Sequence, residues 1–344
     1  GAGRHLLRLG EQHEGAGRAR GAEQCYRAAL ALSLPLPDKS LQMLVLRRLG
    51  RVALSLAQFL DATSYYERSA ELARDSGDVR AEVAARTGAA NVNMHQGRWP
   101  DAERVYREAL GLAETLESRE STLELGQLYN NLGNATTRIG ELATAEEWLD
   151  SALAVWNAVD SPTDHAVCLM NLGHLRENQG RLTETREAYE AALALPIPSA
   201  FKSLAAADLA GVYLAEGYVT LAEEMARLAE EHAIAATSPY TLGYLYRNRG
   251  NLARARGDED GFTFFEKALE IARDKGYPYL EAETLADYAE LRRRSGGTEE
   301  AAAYLERARD IFNELGAVRD AARVQHALGE MRKPIEVPLA AAAD

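Results

Sequence analysis

Apolar residues recur along this chain at the three-to-four-residue spacing of an amphipathic helix, and the stretches that carry it come in pairs. Residues 128–153, "LYNNLGNATTRIGELATAEEWLDSAL", show one such pair. Leu128, Leu132 and Ile139 fall on one helical face, which must be the packed side. Asn130, Asn131 and Asn134 fall on the other, with Gln127 and Arg138 one turn to either side. Gly140 then suits the left-handed conformation that ends a helix, and a second helical run follows with Ala145, Leu149 and Ala152. The predicted unit is helix, tight turn, helix.

The unit repeats. Small anchor residues stand at Gly10, Gly50, Ala90, Gly133, Gly173, Ala210, Gly250 and Ala289, at intervals of 37 to 43 residues. Seven residues after most anchors comes a second glycine: Gly17, Gly97, Gly140, Gly180, Gly217, Gly257 and Gly296. A small residue follows (Ala22, Ala62, Ala102, Ala145, Thr185, Ala222, Ala301), and then a bulky one, as at Tyr26, Tyr66, Tyr106, Leu149, Tyr189 and Leu305. Small residues on an apolar face let a neighbouring helix approach, and the large one fills the space between helices. Between units, stretches such as "LPLPDKS", "DSPTDH" and "LPIPSA" break helices and cap the next, with Ser161 and Pro162 fitting an N-cap and first helical position. In the seventh unit Gly257 to Gly261 is one residue short and Phe262, Phe264 and Phe265 replace the usual arrangement, which predicts a local kink. Residues 318–332 read as a terminal helix covering the last apolar face, and 333–344, with Pro334 and Pro338, as a flexible tail or linker.

This pattern resembles the tetratricopeptide repeat family over about residues 4–312, in a long variant similar to the repeats of kinesin light chain and of bacterial regulators. The resemblance implies an all-α, right-handed superhelical solenoid of about eight helix-turn-helix repeats plus a C-terminal capping helix, forming a single body over residues 1–332. It also implies that the first helix of each pair lines a concave surface. The polar residues that would face the hollow are Arg47 and Arg51 in the second unit, Asn91 in the third, Asn130, Asn131, Asn134 and Arg138 in the fourth, Asn171, His174 and Asn178 in the fifth, and Arg247, Asn248 and Asn251 in the seventh. An amide both donates and accepts, so a row of asparagines suits the backbone of an extended peptide, and the arginines beside it suit carboxylates. Acidic side chains of such a ligand are expected near Arg47, Arg51, Arg176 or Arg247.

Composition narrows the function further. A net charge of −13 repels a phosphate backbone, which argues against direct nucleic-acid binding. No apolar run is long enough to span a bilayer, and Cys25 and Cys168 support no disulfide framework, in keeping with a cytoplasmic protein. The chain holds no phosphate-binding loop, dinucleotide fingerprint, nucleophile elbow or HExxH motif, and no catalytic residue or cofactor is expected. His165, Cys168 and His174 are too few for a structural zinc site. The leading expectation is a non-enzymatic module that binds a protein or peptide, the sensor or scaffold part of a larger bacterial regulator extending upstream. The alternatives are a receptor for a signalling peptide or small molecule that rearranges its superhelix, and an accessory part of an enzyme whose catalytic domain lies elsewhere.

Overall fold

The computed structural model describes residues 1–35, 39–116, 121–236 and 238–332; the expected tail at 333–344 lies outside the described residues. Its helices pair in chain order as the repeats require. The pairs are α1 (Ala2–Gly15) with α2 (Ala19–Ser33), α3 (Ser40–Ser55) with α4 (Phe59–Ser76), and α5 (Val79–His95) with α6 (Trp99–Ala113). Next come α7 (Ser121–Ile139) with α8 (Leu142–Ala158), α9 (Pro162–Asn178) with α10 (Leu182–Leu193), and α11 (Ser199–Ala215) with α12 (Val219–Ala236). The last two are α13 (Pro239–Arg256) with α14 (Asp260–Lys275) and α15 (Pro278–Arg294) with α16 (Thr298–Glu314), and α17 (Val318–Arg332) packs on α16. This is the all-α solenoid of eight helix pairs and a terminal helix. Among the described residues no helix is long and apolar enough to cross a membrane.

The small-and-large alternation is what joins each pair. A Cβ built on Gly133 would come within 2.5 Å of Leu149 Cγ, so glycine is needed for the two helices to touch. Gly173 stands in the same relation to Tyr189. In the seventh unit Phe265 takes the tyrosine's place against Gly250, and i→i+3 bonds from the Gly261 and Phe262 amides to Asp258 and Glu259 tighten the start of α14. The turn glycines adopt positive φ, Gly140 at 102°. The second unit has Ala57 at that position, and Ala57 still takes φ 58°, a conformation that strains a residue with a Cβ. Ala57 and Phe59 both pack on a cluster formed by Ala272, Tyr277 and Leu280.

That contact reveals the larger shape. First helices touch in series, α3 with α5, α5 with α7, α7 with α9, α11 with α13 and α13 with α15, forming the inner layer. The stack curves until its end meets its earlier units. Phe59 meets the Tyr277 ring edge-on at 5.7 Å, Trp99 meets Tyr279 at 5.3 Å, and His95 meets Tyr240 at 5.6 Å. Arg319 of α17 donates to the Asn178 backbone oxygen at 2.9 Å and to its side chain at 3.2 Å. The solenoid thus closes through side chains into a ring.

Candidate functional site

The inner layer carries two cavities of similar size and different chemistry. The first, of about 450 Å³, lies over α3, α5 and α7 and is lined by Arg47, Arg48, Arg51, Asn91, Glu124 and Gln127 among others. Glu14 neutralises Arg51 at 2.7 Å, and Glu11 neutralises Arg48 at 2.9 Å. Arg47 differs. It makes no ion pair or hydrogen bond within the described residues, and its Nε is buried without an acceptor. Burial and the neighbouring Arg48 cation both push its pKa below the ordinary guanidinium value.

The second cavity, of about 460 Å³, lies between α7, α9, α11, α13 and α15. Here charges answer one another. Arg247 donates to Asp287 at 2.7 Å and lies 3.0 Å from Glu283, while Asn251 donates to Asp287 at 2.8 Å. Burial works to raise both carboxyls. At Asp287 the Arg247 and Asn251 contacts prevail and hold it low, whereas Glu283 is pushed up. His174 Nε2 lies 3.1 Å from Asp208, and the amides of Asn178 and Asn248 donate back to the carbonyls of His174 and Tyr244 one turn earlier.

Between the two lies the seam where the ring closes. It leaves a cavity of about 140 Å³ lined by Met94, His95, Trp99, Asn134 and Arg138 on one side and Tyr240, Tyr277, Tyr279 and Leu280 on the other. Arg138 donates to the Tyr279 hydroxyl at 3.1 Å, and Tyr279 in turn donates to Asp320 at 2.8 Å. The guanidinium also sits over the Trp99 and Tyr279 rings, 5.8 and 5.0 Å from their centroids. Burial pushes the His95 imidazole down to about 4.

The asparagines expected to face the hollow therefore divide. Asn130 and Asn171 are buried between α7 and α9, where Asn171 donates to Asn130 Oδ1 at 3.0 Å. Asn131 donates to Asn91 Oδ1 at 3.4 Å, and the Tyr106 hydroxyl bonds to the same oxygen. Arg47, Arg51 and Asn91 line the first cavity; His174, Asn178, Arg247, Asn248 and Asn251 the second; Asn134 the seam; and Arg138 both seam and second cavity. Arg176, another expected anion site, is held by Glu146 outside all three. Sequence reasoning missed the seam aromatics. A signal existed: a Pro-Tyr pair opens both α13 and α15, as Pro239-Tyr240 and Pro278-Tyr279.

A family model described as tetratricopeptide repeat matches residues 81–155, 124–196 and 241–314. A comparison with curated proteins finds no significant match. Among solved structures, the chain is similar to a Rap protein complexed with Competence and Sporulation Factor, at 12% identity and TM-score 0.59, over 96% of this chain and 97% of that one. It is similar to the Rap conjugation gene regulator of plasmid pLS20 in complex with the Phr* peptide, at 14% identity and TM-score 0.55, over 96% and 95%. It is similar also to the apo form of the quorum sensor NprR from B. thuringiensis, at 12% identity and TM-score 0.54, over 96% and 98%.

Proposed function

The chain belongs to the tetratricopeptide repeat family, and on that footing we propose that it is a non-enzymatic peptide-binding module of a regulatory protein. The ligand is an extended peptide with an acidic side chain, lying across α3, α5 and α7. The observation that carries this is Arg47, a half-buried cation with no ion-pair or hydrogen-bond partner among the described residues, in a cavity large enough for several side chains. Burying a charge is unfavourable unless something answers it, so the site suits a carboxylate brought by a ligand. The remaining amide groups beside it, Asn91 Nδ2 and Gln127 Oε1, can pair with the ligand's backbone. Two of the similar structures are complexes, one with Competence and Sporulation Factor and one with the Phr* peptide, which agrees with this reading at the level of fold.

The test is retention of a random heptapeptide pool on the immobilised chain, read by mass spectrometry. Peptides containing Asp or Glu should be enriched. Replacing Arg47 by Ala together with Gln127 by Ala should reduce retention about tenfold, the loss of one charge-assisted and one ordinary hydrogen bond, with little change in Tm. Equal retention on a support without protein overturns the reading.

The closing contacts favour one further feature of the same function. Because Arg138–Tyr279 and Arg319–Asn178 join units far apart in the chain, a ligand that strengthens or weakens them changes the dimensions of the ring. Small-angle scattering with and without retained peptides checks this; unchanged dimensions reject it.

A further inference from the structure

The C-terminal end of the array holds a cavity of a different kind, with an almost wholly aliphatic lining. Between α7 and α9 the groove that separates neighbouring first helices is filled by Asn130 and Asn171, and between α13 and α15 by Arg247, Glu283 and Asp287. Between α15 and α17 it is open. A cavity of about 410 Å³ lies there, walled by Ala286 of α15 and by Ala327 and Met331 of α17, and floored by Ala289 and by Leu305 of α16. Glu290 and Glu330 stand on its rim, the former held by Arg293 and Arg294. Ala286, Ala327 and Met331 pack against the terminal core and still keep accessible surface. A helix that ends a solenoid presents a polar outer flank to solvent. α17 packs on α16 rather than on α15, and the flank it turns toward α15 carries Ala327 and Met331 instead.

The residues that follow α17 match this groove in position, pattern and length. Met331 lines it and Lys333 comes two residues later, so the chain leaves α17 at the groove's mouth. Pro334 and Pro338 each disfavour helix at their own position and at the residue before. Ile335, Val337 and Leu339 alternate with Pro334, Glu336 and Pro338. On an extended chain the three aliphatic side chains share one face and Glu336 lies on the other. Ala327 stands four residues before Met331, and Ala286 four before Glu290, a rise of about 6 Å that an extended chain covers in about two residues. With Ile335 beside Met331, Val337 therefore falls beside Ala286 and Ala327.

We propose that residues 333–339 fold back into the groove between α15 and α17, with Ile335 against Met331 and Ala289, Val337 between Ala286 and Ala327, and Glu336 toward solvent. The occupant is the chain's own tail. Lys333 then stands beside Glu290 and Glu330, whose charge it complements. This docking is independent of what the other cavities bind. It bears on the ring all the same. Arg319, in the first turn of α17, bonds Asn178 across the closing contact, so a tail that ties α17 to α15 steadies that contact from its far end.

Two measurements on the full chain test this. In the first, Ala286→Cys and Val337→Cys are combined with Cys25→Ser, the protein is oxidised mildly, and the 286–337 disulfide is read by mass spectrometry of a digest. A tethered tail visits its surroundings at roughly millimolar effective concentration in any case, so the control adds Ile335→Asp and Leu339→Asp. The disulfide should form about tenfold faster without those two changes. In the second, cleavage after Glu336 by a glutamate-specific protease is timed in the parent and in Ala286→Arg, which fills the groove from α15 and leaves the tail's sequence untouched. Cleavage should be about tenfold faster in the variant, which should still melt cooperatively by circular dichroism. Ala327→Arg fills the groove from the opposite wall and replaces Ala286→Arg if that variant does not fold. A disulfide rate that the Asp changes leave unaltered overturns the proposal, and so does equal cleavage in the parent and a folded groove variant. A 286–337 disulfide that joins two chains places the tail in a second copy's groove and overturns the docking within one chain.

Discussion

Arg47 and Arg247 hold the same place in their repeats, three residues before the anchor glycines Gly50 and Gly250, yet meet opposite fates. Arg247 is gripped by Asp287 and Glu283 of the next first helix, α15. The corresponding positions of α5, the next first helix after α3, hold Ala84 and Gly88. Gly88 cannot grow a side chain, because its Cβ would run into the Tyr66 ring. Two acids are thus replaced by two small residues, and a hole stands where a network would have been. The difference teaches that a residue's phase in the repeat puts it on the inner wall, but the neighbouring repeat decides whether it is structural or available. In the C-terminal cavity the arginine is answered by the next first helix; in the N-terminal one Arg48 and Arg51 are answered by α1, and Arg47 has no ion pair among the described residues.

The largest effect should come from breaking the saturated side. Arg247→Ala leaves two buried carboxyls without their cation and should destabilise the fold by about 3–5 kcal/mol in urea unfolding. Adding Glu283→Gln and Asp287→Asn should recover part of that loss. A small effect of Arg247→Ala would mean the contrast with Arg47 is not one of pairing.

The seam that divides the two regions should respond to pH. His95 has its pKa depressed by burial to about 4, against an unfolded value near 6.5. The unfolded chain therefore takes up a proton before the native one does. Stability present above pH 6.5 is lost as pH falls through the window toward 4, by at most about 3 kcal/mol. His95→Phe should flatten the Tm-against-pH curve across this window; an unchanged slope would place the titration elsewhere. Next in size is Asn171→Ala, which strands the buried Asn130 amide and should cost about 1–3 kcal/mol.

Much of this was legible in the sequence, and the rest was hidden for definable reasons. Gly133 and Leu149, or Gly173 and Tyr189, announce their contact because both partners lie within one unit, so spacing along two adjacent helices fixes it. The inner wall follows from the same phase. Which asparagines are open does not, because Asn171 meets Asn130 across a 41-residue separation whose register depends on how units stack. The seam was least legible. Tyr279 meets Arg138 across 141 residues, and that meeting depends on the small rotation each unit adds, summed over the array. Ala57, read locally, is only a missing glycine; that it packs on the Tyr277 cluster depends on units far apart in the chain.

The smallest stability change belongs to the most informative variant. Ala84→Glu gives α5 a carboxylate at the position from which Glu283 of α15 reaches Arg247. Ala84 already lines the first cavity, so the new side chain has room, and Arg47 stands ready to receive it. The new pair is partly exposed and should shift stability by less than about 1 kcal/mol, in either direction. Its effect on the cavity is larger, because the guanidinium that a ligand's carboxylate would meet is now answered from within. Peptides bearing Asp or Glu should no longer be enriched on this variant, while the thermal melt stays close to that of the parent. If enrichment persists, the N-terminal cavity is not where the acidic side chain goes, and the availability of Arg47 is incidental. If enrichment disappears and the melt holds, one added carboxylate has turned the open half of the ring into a copy of the closed one.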